Sequence, residues 1–359
     1  MQLREITIGA LMDFIASEFY RNSKIIPITP QRAISQVNNP YAQQEDVALI
    51  LAIDSNEQLI GYIGIMPGKT TFSDERFFWN TCWWVDKVEG KAVAMPLFYS
   101  MLKQCNFNTI FFDLTPHTAI IVKKLGFCTE ISEGVKVFLR VHSVQILPKK
   151  HAFFNYLKPL LYIGDVIFNA LHAIRWVVCK NKFKTTYTLI EELDEEALLF
   201  LEKNQKNGVL PFNQLKLNWI KQYPWLVAHP TAEEKAIAKK YYFSYITASF
   251  SLKVMKIKDN NTVVGLVVAT IRDEEMKLSY CFFEKEYTSQ LTAAIFDFAI
   301  SNHISSITTF HPLIAKEIQK HPIIFSKKIN KNIAYPEKCK ALGITTKIFQ
   351  DGDGDAIFT

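Results

Sequence analysis

Residues Glu89-Gly90-Lys91-Ala92-Val93-Ala94 place glycine or alanine at every second position, just ahead of an apolar helical pattern formed by Leu97, Phe98, Met101 and Leu102. Backbone N–H groups at a helix N-terminus lack intrahelical acceptors and favour an anion, and small residues let phosphate oxygens approach them. The spacing therefore predicts either a phosphate-holding turn or a plain structural turn. Pro96 removes a donor early in the helix and predicts a bent first turn. Other reactive side chains lie nearby. His117 can donate or accept a proton near neutral pH; its plainer role is a capping or surface histidine. Asp113 ends a β-rich run, where an Asp is a turn or cap residue unless it faces a cleft. Glu75 and Asp86 flank the aromatic run FFWNTCWWV. They are solvated loop acids unless one draws a proton from a substrate amine. Tyr62 and Trp84 are candidates for a pocket wall, with core packing as the alternative.

These residues need strands and helices to hold them, and the sequence offers such a framework twice. VALILAIDSNEQLIGYIGIMPG (47–68) is a β-rich run, a polar turn and a second β-rich run, and LKVMKIKDNNTVVGLVVATIR (252–272) repeats the pattern. Ile53 stands to Gly61 as Ile257 stands to Gly265, eight residues on. FFWNTCWWV is answered by MKLSYCFF, and both lead into helical patterns, at 92–104 and 290–302. FFDLTPHTAIIVKK is answered by ITTFHPLIAKEIQK, matching Pro116 with Pro312 and Ala119 with Ala315. The shared order predicts two copies of one αβ unit. The expected fold class is α/β (mixed α+β), with two domains, each a twisted mixed β-sheet flanked by helices. A chain of 359 residues has room for both cores.

Two strands joined by a tight turn, an aromatic strand, the small-residue turn and helix, the strand TIFFDL, a short helix and KKLGF follow in an order that resembles the GNAT superfamily of acyl-CoA N-acyltransferases. The resemblance covers about residues 1–141 and, faintly, 186–359. Its most specific pieces are the turn and TPHTAIIVKKLGF (115–127), which looks like the family's closing helix with its Leu-Gly-Phe ending. The family's turn reads Arg/Gln-x-x-Gly-x-Gly/Ala and holds the pyrophosphate of coenzyme A. A register starting at Glu89 aligns the helix, and one starting at Lys87 puts Gly90 in the formal glycine slot. In the first, preferred register Glu89 replaces the basic residue, and Ala92 and Ala94 replace glycines. The resemblance implies acetyl-CoA or another acyl-CoA as co-substrate, held by Trp83 and Val85 on the strand and by Glu89, Gly90, Lys91, Ala92, Val93 and Ala94 in the turn. It implies transfer of an acyl group, acetyl first among them, to the amine of a small-molecule acceptor. The alternative is a non-catalytic GNAT-like protein that binds a ligand or partner. Acyl transfer needs a neutral amine, a polarised thioester carbonyl and a proton for the leaving thiolate. The family's usual tyrosine falls on Val122, which leaves His117 and Asp113 as candidate catalytic residues. The second copy reads FEKEYTSQLTAAIF at the turn, with no glycine and two glutamates before the helix, an arrangement that does not invite a pyrophosphate.

The expected domains are an acyl-CoA-binding domain at 1–145, a hydrophobic helical linker at 146–185 and a degenerate second domain at 186–359. Lys158, Asp165 and Arg175 interrupt the linker and argue against a membrane span. It is expected to be buried between the domains. The alternative is a helix on a membrane surface, with Lys149, Lys150, Lys180, Lys182 and Lys184 meeting anionic headgroups. Trp219, Tyr223 and Trp225 offer acceptor contacts or inter-domain core. In the tail FQDGDGDAIFT, Asp351, Asp353 and Asp355 alternate with glycine as in calcium loops, without the downstream glutamate of an EF-hand. A polar terminal turn is the plainer reading, and a grip on a cationic amine a third. The net charge of +6 comes from scattered lysines and predicts no nucleic-acid partner. The six cysteines have neither metal nor disulfide spacing, and MQLREITIGALMDF has no signal-peptide core, so no metal and a cytoplasmic setting are expected.

Overall fold

Residues 49–53 alternate between two apolar faces, as a strand buried on both sides must. Leu49, Leu51 and Ile53 join one core cluster, whereas Ile50 and Ala52 join another. A computed structural model describes residues 2–180 and 186–358, with the side chains of Cys179 and Lys180 left aside. The first half of the chain forms β1 (Gln2–Thr7), α1 (Leu11–Ala16), α2 (Glu18–Asn22), α3 (Pro30–Val37), β2 (Val47–Ile53), β3 (Leu59–Gly68), β4 (Phe77–Val85), α4 (Ala94–Gln104), β5 (Thr109–Leu114), α5 (Pro116–Lys124) and β6 (Phe127–Phe138). Then come α6 (Ser143–Lys150), α7 (Lys158–Lys180), β7 (Thr186–Ile190), α8 (Glu195–Asn204), α9 (Gln214–Gln222), β8 (Val227–Ala228), α10 (Ala232–Lys240) and β9 (Ile246–Thr247). The chain continues through β10 (Phe250–Asp259), β11 (Thr262–Arg272), β12 (Glu275–Phe283), α11 (Thr288–Ser301), β13 (Ser306–Thr309), α12 (Pro312–Ile318), β14 (Phe325–Pro336) and α13 (Lys338–Ala341). The fold class is mixed α/β, as expected.

Compactness does not follow the linear order expected from the sequence. Unit 1 comprises Met1–Ser132, Gln205–Phe250 and Lys331–Thr359, and unit 2 comprises Glu133–Asn204 and Ser251–Asn330. The strands of unit 1 lie in the order β1-β2-β3-β4-β5, completed by the second half of β14. Asn332 pairs with Leu114 and Ala334 with Phe111 there. Unit 2 has the order β7-β10-β11-β12-β13, completed by the second half of β6, with Val137 opposite Ile307. The last strand of each half thus serves the other unit. Period-two hydrophobicity marks a strand but not which open edge it joins, which is why the units do not divide at 145 and 186.

One glycine in each unit has the same task. A Cβ on Gly61 would lie 2.9 Å from Leu97 Cδ1, and one on Gly265 would collide with Leu291. In both units the strand gives up a side chain so that a helix leucine can seat against the sheet.

The expectation that residues 153–179 are buried is overturned. Helix α7 packs on unit 2 along one stripe only, through Asp165, His172 and Trp176. Lys182 and Lys184 lie outside the described residues.

Candidate functional site

Strand β4 changes character halfway along. Against β3 it pairs antiparallel, with Tyr62 opposite Trp84, Ile63 opposite Trp83 and Gly64 opposite Cys82, until the register shifts and Ile65 meets Asn80. Thr81 is the extra residue of this bulge. A Cβ on Gly64 would lie 2.5 Å from Thr81 Oγ1 and 2.6 Å from Cys82 Sγ, so glycine makes the bulge possible. On its other edge β4 runs parallel to β5 but pairs only through Phe78–Thr109 and Trp79–Ile110. Beyond Trp79 the two strands part, and among the described residues no strand continues that edge of β4. Because they are parallel, their carboxyl ends lie at the same end of the pair. Asp113 lies in the last residues of β5, and His117 and the turn at 86–93 follow those ends.

Trp83 fills the space under the parted strands on the α4 side. Its ring stacks on Phe98 at 5.0 Å, Phe98 on Phe111 at 5.6 Å, and Phe111 meets Phe127 edge-on. Val122 is wholly buried in the same cluster. The position of the expected acid is therefore core.

The small-residue turn is closed on itself. The Asp86 carboxylate accepts from the amides of Val88 (2.8 Å) and Glu89 (3.1 Å), which hold its pKa below the ordinary carboxylate range. Gly90 N–H donates to the Asp86 carbonyl and Val93 N–H to the Gly90 carbonyl, around a 3-10 turn at Glu89–Ala92. Val85 pairs with Gly61 at the strand end. Glu89, Lys91 and Ala92 are exposed, Ala94 is half-buried, and Gly90 and Val93 are buried. Helix α4 begins only at Ala94, with Pro96 in its first turn. An internal carboxylate thus occupies the amides of Val88 and Glu89 that open the turn, and an incoming anion would have to displace it to use them. Gly90 is irreplaceable for steric reasons: a Cβ would lie 2.7 Å from the Ile60 carbonyl and 2.8 Å from Val85 Cβ. Gly90→Ala is expected to cost about 1–3 kcal/mol in thermal or urea unfolding through overpacking against backbone.

The opposite face of β3 and β4 carries polar groups that no local motif marks. Helix α3 starts at a Thr29 cap and Pro30, then buries Arg32, Ala33, Ser35 and Gln36 while Ile34 is exposed. The Arg32 guanidinium lies over Trp225 at 4.2 Å and Tyr241 at 5.2 Å. Tyr62 stacks on Trp84 at 5.5 Å, and the Arg32 charge acts on its hydroxyl. Arg32 Nε, Ser35 Oγ, Gln36 Oε1, the hydroxyls of Tyr62 and Tyr241, and Trp225 Nε1 are buried with no partner among the described residues. Burial raises both tyrosine pKa values, so these hydroxyls remain donors. The cause is desolvation in each case, and the Arg32 charge opposes it. The Cys82 thiol is pushed up to about 11 by burial, with Arg32 pulling the other way. The charge of Asp355 also reaches Cys82 and Tyr241. Nothing local in the sequence marks these polar groups, because α3 reads as a short polar helix and its inward face is set by partners distant in the chain.

The remaining expected residues are dispersed. His117 is exposed in the first turn of α5, where Thr115, not His117, caps the helix by accepting from Thr118 N–H. Asp113 is exposed at the end of β5 with φ +62°. Glu75 is bound to Lys338 at 2.5 Å, which lowers its pKa. Trp219 and Trp225 are buried within unit 1 against Phe358, and Trp219 Nε1 donates to the Ser35 carbonyl at 2.7 Å. The tail is not a surface turn. Asp351 is ion-paired with Lys331, and Asp353 is buried where the Lys216 charge reaches it.

No family model and no curated protein matches the chain. Among solved structures it is similar to a GCN5-related N-acetyltransferase from Kribbella flavida, with 12% identity, 96% of this chain and 74% of that chain covered, and a TM-score of 0.48. It is also similar to Saccharomyces cerevisiae N-myristoyltransferase with bound myristoyl-CoA, at 9% identity, 93% and 78% coverage, and a TM-score of 0.49. A GCN5-related N-acetyltransferase from Anabaena variabilis gives 10% identity, 93% and 72% coverage, and a TM-score of 0.46. Identities this low, with TM-scores under 0.5, carry nothing about activity to this chain.

Proposed function

We propose that unit 1 is an N-acyltransferase domain that takes an acyl-CoA and acylates the amine of a small-molecule acceptor. The observation that carries this reading is the parting of β4 and β5 after two residue pairs, beside the bulge at Thr81. An extended chain with amide groups, such as a pantetheine arm, can lie along the open edge of β4 as a further strand would. Bound there, an acyl-CoA would supply the thioester carbonyl. Asp113 and His117, at the carboxyl ends of the parted strands, are the groups proposed to move protons at the mouth. On the other face, Arg32 and the hydroxyls of Tyr62 and Tyr241 offer donors for an acceptor that carries oxygen atoms as well as its amine.

The turn decides how tightly an acyl-CoA is held. Asp86→Ala removes a carboxylate from two amides in a solvent-open turn, so the domain stays folded. The freed amides can then donate to a phosphate, and CoA affinity is expected to rise about tenfold or more, the gain of a charge-assisted contact. Ala92→Asp places bulk and negative charge beside the amides of Lys91 to Ala94 in the same turn and is expected to lower it by a similar factor. Calorimetric titration of the full chain with CoA and acetyl-CoA reads both. Absence of binding up to millimolar ligand, in the native chain and in Asp86→Ala alike, would remove the acyl-CoA reading. A second reading, a non-catalytic ligand-binding domain, is favoured by the Asp86 closure and by Val122 in the core. Binding of acetyl-CoA with no thiol release for any amine offered would select it.

A further inference from the structure

Helix α7 has two faces of opposite character. One is fastened to unit 2 by polar contacts. Asp165 accepts from Val144 N–H at 3.1 Å and from the Ser143 hydroxyl, and Asn169 exchanges two hydrogen bonds with the backbone of Val141, at 2.8 and 3.0 Å. His172 bonds to the Pro322 carbonyl, and Trp176 Nε1 donates to Asp297 at 3.0 Å while its ring packs on Phe296. Asp165, Asn169 and His172, polar residues within the apolar run, are therefore engaged with protein, whereas Lys158 and Arg175 are exposed. By length and composition α7 could cross a membrane, but these contacts hold it along the domain surface.

The other face is open. Leu160, Ile163, Ile167, Leu171, Ile174 and Val178 follow one another at intervals of three or four residues, and each is more than half exposed. Aromatic rings widen the patch at its start: Phe153, Tyr156 and Tyr162 are all exposed. Soluble surfaces rarely leave so much contiguous apolar area uncovered. Along this stretch of sequence the exposed charge has one sign. From Ser143 to Lys184 the only acid is Asp165, which is buried, whereas Lys149, Lys150, Lys158, Arg175, Lys180, Lys182 and Lys184 are basic.

We propose that the exposed face of α7 docks unit 2 onto the surface of an anionic lipid bilayer. The apolar stripe enters the acyl boundary, the aromatic rings sit at headgroup level, and the flanking lysines meet lipid phosphates. This chemistry selects a bilayer over a protein partner: a protein groove matching the stripe would need acidic groups at both ends, whereas an anionic leaflet supplies negative charge all round. The proposal is independent of the reaction assigned to unit 1.

Flotation of the full chain with vesicles tests it. The native chain is expected to float with phosphatidylcholine–phosphatidylglycerol vesicles, less with phosphatidylcholine alone, and less again at high salt. The double variant Ile167→Glu/Leu171→Glu changes only exposed positions and should keep the native circular dichroism spectrum and Tm. Its partition into mixed vesicles is expected to fall at least about tenfold, and Lys149→Gln/Lys150→Gln should lose about tenfold in mixed vesicles only. Three results would overturn the proposal. The folded native chain stays with neither vesicle; or its flotation ignores both variants; or the face proves to be covered by a second copy, seen as a dimer that Ile167→Glu/Leu171→Glu dissociates.

Discussion

Lys331→Met is expected to destabilise unit 1 by about 3–5 kcal/mol, the usual penalty for leaving one partner of a buried ion pair behind. Lys331 is nearly enclosed, with its ammonium on Asp351 and over the Phe112 ring at 4.8 Å. The Asp351 side chain is 1% exposed, and its Oδ2 already has no partner among the described residues. Methionine fills much of the lysine's volume, so the loss is electrostatic and not a cavity. Adding Asp351→Asn removes the stranded charge, and the double variant should recover a large part of the loss, which a double-mutant cycle measures directly. Urea unfolding followed by tryptophan fluorescence reports unit 1, because Trp176 is the only one of six tryptophans in unit 2. A Lys331→Met transition within about 0.5 kcal/mol of the native one, the range of a neutral surface change, would mean that the pair is solvated and the tail is not part of the core.

That ion pair also shows where sequence reading stops. The strands, the helix after the small-residue turn and the closing helix are legible because hydrophobic period and turn chemistry are local. The match of Gly61 with Gly265 is legible too, and the structure supplies its cause in Leu97 and Leu291. The tail is not. QDGDGD looks solvated until Lys331 and Lys216 are brought to it from elsewhere in the chain, and only then can Phe358 reach Trp219 and Trp225. Arg32 is hidden for a related reason: its partners are rings at 225 and 241, and an arginine in a short helix reads as surface. The role of Asp86 is closer to hand. An Asp ahead of a helix-opening turn is a standard competitor for the amides that follow it. In α7 the apolar period is visible, but period alone does not say whether protein or something else covers a face.

Asp353 and Lys216 should put a minimum in the stability of unit 1 near neutral pH. Burial pushes the Asp353 carboxyl up from 3.8 to about 7, with Lys216 opposing, and pulls the Lys216 ammonium down from 10.5 to about 8, with Asp353 opposing. A raised carboxyl means that the folded chain keeps a proton which the unfolded chain has released. Its contribution is therefore present in full below about pH 4 and is lost as pH rises to about 7. A depressed ammonium acts in the reverse sense. Its contribution is present above about pH 10.5 and is lost as pH falls to about 8. Each limb is worth up to about 4 kcal/mol, because a tenfold change in proton affinity corresponds to about 1.4 kcal/mol. Other groups add their own slopes, so the informative quantity is the difference between native chain and variant. Asp353→Asn should erase the acid limb, gaining on the native chain as pH rises from about 4 to 7, and should depress the Lys216 ammonium further by removing the charge that opposes its burial. Lys216→Met should erase the alkaline limb. Urea midpoints taken by tryptophan fluorescence from pH 4 to 10 give both differences. A difference curve for Asp353→Asn that is flat across the acid window would show that Asp353 is ionised in the folded chain throughout, held by Lys216 as a full ion pair. Burial would then have lost to Coulomb attraction at this site.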